Sequence, residues 1–127
     1  FTDCYISLHR SEGFGLPLAE AMYFKKPVIA TAYSGNLDFM NINNSFLARY
    51  KLVPIEKDLG PYKKGSLWAD PDIGHAAELM RLVYEKRDIA IRTGERAASD
   101  IRTNHNLEIC GQRILNRIKC IKQYPGA

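Results

Sequence analysis

Cysteine is scarce, with three in 127 residues. So few, and an odd number, make no disulfide framework. A chain of this length can bury a core that needs no staples. Cys110 and Cys120 fall on one expected helix, about 15 Å apart at 1.5 Å per residue, too far to bridge. Reduced thiols of a cytosolic protein are the plain reading. Long apolar runs are also missing. None approaches the roughly 18 residues of a membrane span, and no signal-peptide pattern is present. The three histidines form no His/Cys/Asp set with metal-ligand spacing, so the sequence offers no metal site. Ser11 has no His and Asp grouping to make it a nucleophile. No basic segment is interleaved with aromatics, which sets nucleic acid aside. Repeats and low-complexity tracts are absent. The opening FTDCYISLH lacks an initiator Met and runs almost directly into a strand-like segment. It reads as a fragment of a longer protein, cut near a domain interior.

What remains is an ordinary globule of one domain, 46% apolar and 25% charged. The net charge of +4 is unevenly spread, since Arg87 to Gln123 holds eight Lys/Arg against four acids. That skew suits an anionic membrane surface, but the plainer reading is a solvated helical face.

Residues 4–8, CYISL, suit a buried parallel strand. A polar, glycine-rich turn over 10–15 precedes an expected helix from Leu16 to Lys25. Pro17 fits its first turn. Leu18, Ala19, Ala21, Met22 and Phe24 supply its apolar face, and Pro27 ends it. PVIAT (27–31) is a second buried strand. Strand, helix, strand in so short a space is a βαβ unit, with a parallel sheet and a right-handed crossover. YSGN (33–36) is a turn in which Asn36 is expected to cap a short helix through Asp38–Met40. A turn at 42–45, one or two strands within 45–55, an exposed loop over 57–66 and a short strand at Trp68–Asp70 follow. Asp70 or Asp72 then caps the first of three helices. The second is expected near Asp88–Thr103 and the third near Leu107–Gln123, and the tail YPGA is expected to fray. The front is β-rich and the back α-rich. The fold class is therefore α/β, the later part of a Rossmann-like parallel sheet domain with C-terminal helices. Such a piece should leave a sheet edge and some apolar surface uncovered.

Residues 12–20, EGFGLPLAE, lie where open α/β sheets bind ligands, at the carboxyl end of a strand. Gly13 and Gly15 permit backbone conformations and approaches that a side chain blocks. The helix behind them turns unpaired N–H groups on the loop, an arrangement suited to a phosphate or pyrophosphate. Glu20, about one turn into the helix, can accept two hydrogen bonds from a ribose diol. Glu12 stands at the other end, where a second polyol fits. Phosphate between two diol-binding carboxylates describes a nucleotide sugar. Read blandly, Glu20 is a solvated helix residue and Glu12 a loop charge.

The segment SEGFGLPLAEAMYFKKPVIATAYSGNLDFM closely resembles the donor-binding segment of glycosyltransferase family 4 (glycosyl transferases group 1), enzymes of the GT-B fold. The shared pattern is E-G-F-G-L-P-x-x-E-A-M, then P-V-I-A-T and a small-residue turn. The tight likeness covers residues 5–40, and a looser one reaches WADPD (68–72) and the helices behind it. The resemblance implies that residues 1–127 are one partial domain, the nucleotide-sugar-binding portion of a GT-B C-terminal domain. It implies that Glu12 contacts the transferred sugar as the catalytic glutamate. Gly13, Phe14, Gly15 and Leu16 would meet sugar hydroxyls and the diphosphate through backbone amides, and Glu20 would bind the ribose. It further implies transfer of a hexose with retention to a glycan or lipid-linked acceptor in polysaccharide biosynthesis, with no metal and no cofactor beyond the nucleoside diphosphate sugar donor.

The chain departs from the family in several places. The basic residues that grip the diphosphate, and the N-terminal acceptor domain, would precede Phe1, so this fragment alone should be inactive. Where the family often has Gly-Gly and then Glu, this chain has Ser34-Gly35-Asn36 and then Asp38. The insertion at 50–66 is longer than the usual connection. Two rival readings stand beside this one: a nucleotide-sugar epimerase of similar architecture, and a non-catalytic interaction domain that keeps the loop for its shape. The expected place is cytoplasmic, peripheral on the inner membrane face if the basic helices dock there. Among single residues, His9 reads as a packed or bridging residue, His75 and His105 as surface helix residues, and Trp68 as core or domain interface.

Overall fold

A computed structural model describes residues 2–123; the YPGA tail lies outside them. The protein is mixed α/β. Strand β1 (Tyr5–Ser7), helix α1 (Leu16–Tyr23) and strand β2 (Val28–Thr31) lead to a short 3-10 turn (Gly35–Asp38). Strand β3 (Phe46–Ala48) follows, then a hairpin of β4 (Tyr50–Pro54) and β5 (Leu67–Pro71). Helices α2 (Ile73–Glu85), α3 (Arg87–Asn104) and α4 (Leu107–Gln123) complete the chain.

Strands β1, β2 and β3 form a parallel sheet with β2 in the centre, Ile29 lying opposite both Ile6 and Phe46. The continuous apolar run of β2 is what a strand covered on both faces requires, and all four of its residues are buried. Successive side chains point to opposite faces. Val28 and Ala30 pack with Leu18 and Met22 of α1, Phe39, Met40, and Ala97 and Ile101 of α3. Ile29 packs on the other face with Phe46, Val83 of α2 and Ala90 of α3. The edge strand β1 is less covered than its sequence suggests, with Ile6 39% exposed.

Helix α1 stops earlier than expected, and Pro27 is not the cause. Lys25 takes φ 59°. Its N–H donates to the Met22 carbonyl and the Lys26 N–H to the Ala21 carbonyl. This is a Schellman close with lysine at the left-handed position that glycine usually fills. Phe24 therefore falls off the helix and is exposed, its ring edge-on to Tyr23. Asn36 also departs from expectation. It lies inside the 3-10 turn, fully buried, and donates through Nδ2 to the Thr31 carbonyl instead of capping.

The stretch 45–55, expected to carry one or two strands, holds two, and they belong to different sheets. β3 joins the parallel sheet, while β4 pairs antiparallel with β5, Tyr50 opposite Pro71 and Pro54 opposite Leu67. Helix α2 begins at Asp72, whose carboxylate accepts the His75 N–H at 2.9 Å. That bond, chiefly, holds the Asp72 carboxyl below the usual range. Helix α3 turns small residues inward: Ala90, Gly94, Ala97 and Ala98 are buried, while Ile91 is exposed. Helix α4 matches its expected bounds, yet none of its residues is buried.

Candidate functional site

Loop 8–15 leaves the carboxyl end of β1 and enters α1. His9 fastens its start. Nε2–H donates to the Tyr33 carbonyl at 3.0 Å, which leaves Nδ1 to accept from Ser7 Oγ at 3.2 Å. Arg10 ties the loop to the hairpin. Its guanidinium reaches Asp70 at 2.7 Å and lies 4.9 Å from the centre of the Trp68 ring, and its carbonyl accepts from Ala69 N–H. Trp68 is thus half-buried beneath Arg10 and beside Tyr62; it is no plug of the main core.

Glu12 is held through its backbone from the next turn. Its carbonyl accepts Ser34 Oγ–H at 2.6 Å and Gly35 N–H at 3.3 Å. Its carboxylate folds back to accept Gly13 N–H at 2.9 Å. Gly35 permits this clasp, because a Cβ there would overlap the Gly13 carbonyl. Ser34 takes φ 81° and ψ −155°, a region that is essentially glycine's. Gly15 closes the loop at φ 93°, and a Cβ on it would stand 2.8 Å from Leu18 Cδ1. Gly13, by contrast, is exposed with open space around it.

Helix α1 has no side-chain cap and no acidic residue in its first turn. Ala19 N–H bonds the Gly15 carbonyl and Pro17 has no N–H. Among the described residues the Leu16 and Leu18 N–H groups have no hydrogen-bond partner. The helix N-terminus therefore turns two free donors and its positive dipole end toward the loop.

Phe14 anchors the loop from the other side. Its ring centre is 5.0 Å from that of Phe39 and 6.4 Å from His105, and Phe39 lies 6.0 Å from His105. His105 is thus part of an aromatic cluster, where a surface position was expected. His75 too is engaged, its Nδ1 accepting the Arg49 N–H. Leu16 and Glu20 are exposed. Together with Phe14, Tyr23, His105 and Arg113 they line a cavity of about 700 Å³ between α1 and the start of α4. Glu12, Gly13 and Gly15 do not line it. The two carboxylates are not brought to one cavity wall. Glu20 shares a helix face with Leu16 and Tyr23, whereas Glu12 is turned onto its own loop.

Sequence reasoning missed Ser34, Phe39 and His105 as supports of the loop. Only the serine in place of the family's glycine was a visible signal. Among the described residues, buried Thr31 Oγ1 and Asn36 Oδ1 find no hydrogen-bond partner. Among the described residues no three His, Cys, Asp or Glu gather as a metal site, and no helix is long and apolar enough to cross a membrane.

No curated protein matches the chain. Residues 2–51, which span β1, loop 8–15, α1, β2 and the Ser34–Gly35 clasp, match the family described as Glycosyl transferases group 1.

Proposed function

We propose that this chain is the nucleotide-sugar-binding portion of a retaining GT-B glycosyltransferase, one partial domain over residues 1–127. Its donor is a nucleoside diphosphate sugar. The full enzyme moves a hexose to a glycan or lipid-linked acceptor in polysaccharide biosynthesis, and the chain alone is inactive. The observation that carries this reading is the uncapped start of α1, with Leu16 and Leu18 N–H groups free behind a loop clasped at Glu12 and Gly13.

The chemistry asked of these residues is electrostatic. Negative charge develops on the diphosphate as the sugar–phosphate bond breaks. Preorganised N–H groups at a helix start stabilise that charge without reorganising during the reaction. Gly13, Phe14, Gly15 and Leu16 give the loop backbone that meets the diphosphate and sugar hydroxyls. Glu12, with one carboxylate oxygen held by Gly13 N–H, keeps the other for the transferred sugar. Glu20, exposed at the rim of a cavity with aromatic walls, accepts hydrogen bonds from the ribose. The reaction in this reading uses neither metal nor further cofactor.

Two-dimensional amide NMR tests it. The chain is titrated with UDP, GDP and ADP and their hexose conjugates, with Glu20→Ala as control. Expected are shifts clustered over residues 13–20, weakened in Glu20→Ala and graded by base. Shifts that map elsewhere, or that ignore the substitution, would overturn the assignment. A folded sample that responds to no nucleotide would favour the non-catalytic interaction domain.

A further inference from the structure

We propose that Arg10 is a positioning residue, through which the β4–β5 hairpin sets where Glu12 and Gly13 stand. Loop 8–15 is fastened at several points. His9 is held by Tyr33, Glu12 by Ser34 and Gly35, and Phe14 by Phe39 and His105. Arg10 is held by the hairpin. Its partners Trp68, Ala69 and Asp70 are successive residues of β5, and they lie beyond residues 2–51. A part of the chain outside the family match thus grips the loop two residues before Glu12.

Strand geometry lets one residue make all three contacts. Side chains alternate along β5, so Trp68 and Asp70 share one side, while Ala69, fully buried, turns to the other. The planar guanidinium of Arg10 meets both at once, 4.9 Å from the Trp68 ring centre and 2.7 Å from Asp70 Oδ1. The Ala69 N–H donates to the Arg10 carbonyl at 2.9 Å, so one strand fixes both the main chain and the side chain of Arg10. That strand is a firm base. It pairs with β4 from Tyr50 opposite Pro71 to Pro54 opposite Leu67. The Tyr50 ring packs on Tyr33 with centres 5.1 Å apart, and the Asp72 N–H donates to the Arg49 carbonyl at 2.8 Å. Only Ser11 separates Arg10 from Glu12, too short a link to absorb a shift of Arg10. The Glu12 carboxylate in turn takes the Gly13 N–H, which makes that amide a reporter of the loop's place. The tether adds little to folding, because the Arg10 and Asp70 side chains are 44% and 39% exposed. Its effect is on where the loop stands.

Amide NMR of the chain reads the tether from both ends. Arg10→Ala cuts it on the loop, and Asp70→Ala or Trp68→Leu cuts it on the hairpin. Each cut should move the Gly13 amide in the same direction, and Arg10→Ala/Asp70→Ala should shift it by less than the two single changes summed. Arg10→Lys keeps the charge but loses the planar group over Trp68, so it should restore the parent shift only in part. Arg10 and Asp70 are exposed, so the melting temperature of their variants should stay within about 5 °C of the parent. The consequence for ligand binding rests on the donor-site reading. Each cut should weaken binding of UDP, GDP or ADP, whichever the parent takes up, by about two- to thirtyfold. A parent that binds none of them would count against that reading, while the Gly13 shifts of the free chain would still decide the tether. A Gly13 amide unmoved by the hairpin cuts would overturn the proposal. So would weaker binding after Arg10→Ala with none after Asp70→Ala or Trp68→Leu, which would make Arg10 a direct ligand of the nucleotide. Shifts spread over the whole sheet with a lowered melting temperature would make the tether merely structural, and would overturn it equally.

Discussion

Ser34 offers a direct measurement of strain beside the candidate site. At φ 81° and ψ −155° it holds a conformation that costs a non-glycine residue about 1–3 kcal/mol. In return its hydroxyl donates to the Glu12 carbonyl at 2.6 Å. Ser34→Ala keeps the strain and loses that bond. The Glu12 carbonyl retains Gly35 N–H, so nothing is orphaned, and the expected loss is about 1 kcal/mol. Ser34→Gly loses the same bond but releases the strain, offset by about 0.4–1 kcal/mol of added freedom in the unfolded chain. Its net change should lie within about 1 kcal/mol of zero. The glycine variant should therefore be the more stable of the two, by about 1 kcal/mol, the reverse of the ordinary Ala-over-Gly preference. Urea unfolding reads this directly, and at this chain length 1 kcal/mol corresponds to about 4 °C in melting temperature. An alanine variant as stable as the glycine variant, or more so, would refute the claim that Ser34 is strained.

Lys25→Gly should stabilise the protein by about 0.5–1 kcal/mol in the same assay, since lysine occupies the left-handed close of α1. Cys4 should be alkylated far more slowly than exposed Cys120 at neutral pH, because burial pushes the Cys4 thiol up to about 11. The sign follows from that upward shift: the contribution of the Cys4 thiol to stability is complete below 9.0 and is lost as pH rises toward 11. Mass spectrometry of timed iodoacetamide reactions checks the order, and equal rates would show Cys4 to be freely ionised.

The βαβ unit was legible because each part carries a local signal. PVIAT is continuously apolar and becomes the central strand, buried on both faces. Pro17 marks the first turn of α1, and Asp72 caps α2 three residues before His75. The apolar spacing of 107–123 delimits α4 to the residue. Two local signals misled. Pro27 was an obvious helix stop, but the chain had already closed α1 through a lysine in a glycine conformation, which residue type argues against. Asn36 has the chemistry of a cap and spends it on the Thr31 carbonyl. The site was legible as a loop and a helix start, but not as a geometry. Phe14 meets Phe39 and His105, and Glu12 is held by Ser34 and Gly35, through contacts between residues far apart in the chain.

Periodicity, caps and turn residues act over a few positions, so the sequence by itself determined the order and type of the elements, the parallel pairing of β1 with β2 and the family motif. What only the tertiary structure decided is which elements meet. It assigned β3 and β4 to different sheets, turned Glu12 and Glu20 to different surroundings, and paired the cations of α3 while leaving those of α4 free. An amphipathic pattern states that a helix has an apolar face, but whether anything covers it depends on packing between segments that no local window contains.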